Sequence, residues 1–85
     1  MPEHGVPEGV ISREDLAKLA ALFDRSEYAL DPLSLSAKEA ESQFEDEVLM
    51  LFRERVEPHY SSISFTVFRC KVRSLCRAYL RQNSP

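Results

Sequence analysis

The sequence predicts an all-α fold, a small three-helix bundle with a disordered N-terminal tail. Three observations predict it. Apolar residues recur at helical spacing in three segments, a serine suited to capping stands ahead of each, and no alternating apolar pattern is long enough for a pair of strands. With 85 residues and 44% apolar content, the chain has room for one domain with a single small core. So small a core leaves a narrow margin of stability, which makes self-association a natural expectation.

Residues 1–10 contain both glycines, two of the five prolines and two glutamates. They read as a tail with almost nothing to bury, leaving residues 11–85 as a single helical domain. The first helix is expected over about residues 12–25. Ser12 and Asp15 are spaced as a capping box, Ile11 and Leu16 as a hydrophobic staple, and Leu16, Leu19, Ala20 and Phe23 share one face. Leu22 falls at the margin of that face.

Asp31-Pro32 interrupts the pattern, because proline disfavours the helical conformation in the residue before it. Of the two candidate caps, Asp31 and Ser36, the latter is preferred because Glu39 would complete a box. The second helix then spans about 36–57, with Ala37, Ala40, Phe44, Val48, Leu51 and Phe52 inward and Pro58 stopping it. Tyr28, Leu30, Leu33 and Leu35 make the preceding connection apolar, and are expected to fold under the bundle as a lid. The third helix is expected over about 64–82. Ser64 caps it, Ile63 and Phe68 staple it, and Phe65, Phe68, Val72, Leu75, Cys76 and Tyr79 lie within an arc of roughly 100°.

Charge is divided unevenly along the chain. Residues 1–60 carry 14 acids and six bases, a net of −8, whereas residues 61–85 carry five bases and no acid, a net of +5. Arg69, Arg73, Arg77 and Arg81 recur every four residues on the third helix, each step turning about 40°, and so form a slowly winding ridge. Such a ridge can engage successive phosphates, since each guanidinium offers paired donors to an oxyanion. It can equally face the second helix, where Glu39, Glu41, Glu45, Asp46, Glu47, Glu54 and Glu57 outnumber Lys38, Arg53 and Arg55. The second arrangement is preferred, because the whole chain is acidic, with a pI near 5.3. A helix-turn-helix is disfavoured by the long connection containing Pro58.

Two apolar side chains depart from the core stripe. Leu49 and Met50 project at roughly 140° and 240° from Phe44 around the second helix. With Arg53 they outline an adaptable docking surface, methionine being suited to irregular contacts.

No residue pattern specifies a reaction. His4 lies in the tail and His59 follows a helix-ending proline, so local sequence positions neither as a catalytic base. Cys70 and Cys76 stand six apart on one helix, a geometry unsuited to an intrachain disulfide or a zinc site. Both glycines precede residue 10, which excludes a phosphate-cradling glycine loop. No run approaches the ~20 apolar residues of a bilayer span, and no secretory leader is evident. The expectation is a cytoplasmic, non-enzymatic module without catalytic residues, metal, cofactor, small-molecule ligand or membrane partner. It would bind another protein or its own second copy through Leu49, Met50, Arg53 and the ridge of Arg69, Arg73, Arg77 and Arg81. Nucleic-acid binding by that ridge is the alternative.

Overall fold

Ser12 opens the first helix as its spacing predicts. In the computed structural model, which describes residues 9–83, its hydroxyl accepts the Asp15 amide at 3.1 Å and the Asp15 carboxylate accepts the Ser12 amide at 3.2 Å. Two amides that the helix cannot satisfy internally are thereby paired. The helix that follows, α1 (Arg13–Glu27), ends at Tyr28, whose amide bonds the Asp24 carbonyl at 3.2 Å.

The second helix, α2 (Leu35–Leu51), is capped by Ser34 rather than by Ser36 or Asp31. Asp31 shapes the turn instead: its carboxylate accepts the Leu33 amide and its carbonyl the Ser34 amide, both at 3.0 Å. That turn delivers Ser34 to the cap position, where its hydroxyl accepts the Ala37 amide at 3.1 Å. Ser36 consequently falls inside the first helical turn, and Glu39 is too far along to complete a box. Leu35 becomes a helical residue instead of a loop residue.

Beyond Leu51 the helix widens into a π-helical turn, Phe52–Val56, closed by the Glu57 amide on the Phe52 carbonyl at 2.8 Å. Phe44, Val48, Phe52 and Val56 are spaced four apart, and all four are buried. In a regular helix that series would drift by about 40° per step. The wider turn returns Val56 towards the core line, and it also aims Arg55 at the start of α1.

The third helix, α3 (Phe65–Gln82), is capped by Ser64, whose hydroxyl accepts the Val67 amide at 3.2 Å. Together the elements make a three-helix bundle, and no strand occurs among the described residues. Within it α1 is the middle element, packed against both others, while α2 and α3 touch sparsely. Phe23 meets Phe44 at 5.6 Å between ring centroids, and Phe52 joins the end of α2 to Phe65 and Phe68 at 5.4 and 5.7 Å. Leu22, expected at the margin, is buried with Leu19, Ala20 and Phe23.

Two expectations need correction. Val10 falls in the stretch that the sequence reads as tail, yet it is buried, and its carbonyl accepts from Arg55 Nη1 at 3.0 Å. Gly9 adopts φ 87° just before it, a left-handed conformation that places this short strap against the π-helical turn. The remaining tail, residues 1–8, lies outside the described residues. The apolar connection between α1 and α2 is not a lid: Tyr28, Leu30, Leu33 and Leu35 are all exposed. A tight turn at Asp31 followed at once by helix leaves the three leucines no path back to the core, while Tyr28 sets its ring edge-on to Phe23. Among the described residues, no helix is long and apolar enough to cross a membrane.

Candidate functional site

The arginine ridge runs along α3 beside the apolar face, but three of its four members meet acids of the same chain. Arg69 Nε donates to both carboxylate oxygens of Glu45 on α2, at 2.8 and 2.9 Å. Arg73 Nη2 donates to Glu27 at 3.1 Å, and Arg77 Nη2 stands 3.8 Å from the other Glu27 oxygen. Both guanidinium groups also lie over the Phe23 ring, 5.3 and 5.5 Å from its centroid, in a cation–π arrangement. Of the four ridge arginines, Arg81 alone is exposed without an ion-pair partner among the described residues.

The partner helix differs in part from the one expected. Arg69 does reach α2, whereas Arg73 and Arg77 reach the last turn of α1, because α1 lies between the other two helices. Glu27 was the residue that sequence reasoning missed. Its one local cue is its position four residues after Phe23, which puts carboxylate and ring on the same side of α1. A phosphate approaching this ridge would have to displace Glu27 and Glu45 and would meet their charge.

The second predicted surface is divided. Leu49 follows Glu45 by one turn, so it lies on the edge of α2 that reaches towards Arg69, and it is half-buried. Arg53 continues that edge and is exposed. Met50 is turned about 100° away and is 45% exposed, so it does not extend the Leu49 edge.

The largest apolar exposure sits elsewhere, in the connector and the first residue of α2. Leu30 is 106% exposed, Leu33 77%, Leu35 73% and Tyr28 56%. Their backbone is held by the Asp31 turn and the Ser34 cap, while the Tyr28 ring stands edge-on against Phe23 at 5.9 Å. The result is a knob of four exposed apolar side chains within eight positions of a hydrogen-bonded backbone, which loses less freedom on binding than a floppy loop would.

The chain matches no protein-family model, no curated protein and no solved structure. Its own geometry therefore carries the functional reading.

Other reactive groups are arranged as parts of the fold. Cys76 is buried, and that burial pushes its thiol up to about 11 against the opposing pull of Arg73 and Arg77. Cys70 is exposed, and both thiols are free. Arg55 bonds the Asp15 carboxylate as well as the Val10 carbonyl, and that hydrogen bond holds Asp15 below the usual carboxylate range. His59 is exposed, its ring 6.3 Å from that of Tyr60. Among the described residues, no group of three or more His, Cys, Asp or Glu side chains converges on a point where a metal could sit.

Proposed function

We propose that this chain is a non-enzymatic protein-interaction module that docks through the α1–α2 connector. The observation that carries the reading is the exposure of Tyr28, Leu30, Leu33 and Leu35 together on a hydrogen-bonded backbone. An isolated exposed leucine needs no explanation, but four large apolar residues within eight positions form a patch of the kind found at docking sites. A protein partner covering them would gain about 25 cal/mol for each Å² of apolar surface removed from water.

The ridge contributes differently from what its spacing suggests. Arg69, Arg73 and Arg77 join the helices to one another, and the acids beside them disfavour a polyanion. This ranks nucleic-acid binding below protein binding. Leu49 and Arg53 form a lesser, separate edge, and Met50 stands apart from it.

The test is a paired capture from the native lysate with the wild-type chain and the Leu30→Asp/Leu33→Asp variant, helicity being matched by circular dichroism. Proteins bound to the wild type should be lost from the variant. Equal recovery by both would overturn the connector as the docking surface.

A further inference from the structure

The other end of α1 carries a concave surface whose chemistry complements the knob. A groove of about 430 Å³ opens between the start of α1 and the end of α3, lined by Leu16, Leu75, Ala78 and Tyr79 together with the polar Gln82 and Asn83. Arg13 stands at its rim, and it is the only charged residue lining the groove. Arg13 has no ion-pair partner among the described residues. The knob in turn carries one acid at its centre. Asp31 uses a single carboxylate oxygen to hold the Leu33 amide, so the other oxygen is available to a donor.

We infer that the knob of one copy seats in the α1–α3 groove of another, with Asp31 meeting Arg13, so that the chain associates head to tail with itself. This rests on the connector being the docking surface and names what covers it. Two alternative arrangements are disfavoured. The groove between α1 and α2 is lined by Asp46 and Glu47, and its Lys18 is already paired with Glu47 at 3.2 Å, so it would repel Asp31. A two-fold contact of knob on knob would bring Asp31 close to its own symmetry mate, a like-charge pair beside apolar surface.

Geometry adds a consequence. Arg13 and Leu16 of the groove belong to the first turn of α1, whereas the knob begins only after its last residue, Glu27, so seat and occupant are separate sets of residues. A heterologous contact of this kind extends into rings or chains instead of stopping at a dimer. Few side chains take part, which places the contact among weak, concentration-dependent interfaces.

Sedimentation of the full-length chain across a concentration series tests the inference with two blocked variants, Leu33→Asp in the knob and Ala78→Glu in the groove. Ala78 is exposed and glutamate suits a helix, so the second variant leaves α3 intact. The wild type should grow past a dimer. Each variant should weaken association by about 10- to 100-fold, the loss expected for one leucine no longer buried. A one-to-one mixture of the two should recover a dimer and nothing larger, because one copy keeps an intact knob and the other an intact groove. A wild type that stays monomeric at every concentration would overturn head-to-tail association. If that monomer still loses a captured protein on Leu30→Asp/Leu33→Asp substitution, the knob serves a different partner and the proposed function stands without this inference. A dimer unaffected by Ala78→Glu would overturn the groove as the seat.

Discussion

The α3 ridge and the α1–α2 connector invert what their residue types suggest. The ridge gathers four arginines at helical spacing, yet Glu45, Glu27 and the Phe23 ring occupy three of them. The connector is apolar enough to read as core, yet Leu30, Leu33 and Leu35 face solvent. Charge at a helix face is readily neutralised by a neighbouring helix, because long side chains reach sideways. A leucine in a tight turn has no such reach, so the backbone alone decides whether it is covered.

The strongest way to break this contrast is to remove the ring under the ridge. Phe23→Ala should cost about 3–5 kcal/mol in urea unfolding, since the ring is 1% exposed, packs on Phe44 and supports both Arg73 and Arg77. A loss below 1 kcal/mol would mean that the two guanidinium groups are not anchored there.

Cys76 supplies the next largest effect, under alkaline conditions. Its thiol is raised in the folded state, so its contribution to stability is complete below the ordinary thiol value of 9.0 and is lost as pH rises towards about 11. The loss should approach about 2–3 kcal/mol by pH 11, measured as the difference between wild type and Cys76→Val across that range. Parallel pH profiles would contradict the burial of the thiol.

Arg55 tests the strap in the opposite direction of pH. Asp15 is depressed in the folded state, so the stability it contributes is present above the ordinary carboxylate range and is lost as pH falls through the lowered value. Arg55→Met should cost about 1 kcal/mol near neutrality and flatten that acid limb, as read from thermal unfolding between pH 2 and 6. An unchanged acid limb would show that Arg55 does not hold Asp15.

The smallest effects separate ridge from connector. Glu27→Gln should lower stability by under about 1 kcal/mol, because the pairs it makes are partly solvated. It should also make Arg73 and Arg77 available, so that anisotropy of a labelled single-stranded DNA at low salt rises for the variant more than for wild type. Leu33→Asp should leave the unfolding free energy within about 0.5 kcal/mol of wild type, as expected for an exposed position.

How much of this was legible in the sequence follows from the range of the interactions involved. Ser12 with Asp15, and Ser64 before Phe65, cap their helices through contacts three residues apart, and the apolar faces repeat on the same scale. Ser34 was missed because Ser36 stands two residues on with Glu39 at box spacing, whereas the deciding factor is the turn that Asp31 builds. The π-helical turn answers to where Val56 must lie against the other helices, a demand that the local pattern does not express. Glu27 could not be matched to Arg73 and Arg77 without the order in which the helices pack. The α3 stripe was legible because it spans five turns, and the connector was not because its exposure depends on a backbone path through one turn.

The most direct test of the connector as the docking surface is site-resolved cross-linking. A photoreactive amino acid is placed at Leu33 in one preparation and at Arg81 in another, and each is irradiated in the native lysate. Both positions are exposed, so simple collision favours neither. The account predicts discrete covalent adducts from position 33 and only diffuse background from position 81. Adducts that form equally or more strongly at position 81 would contradict it and return the function to the ridge.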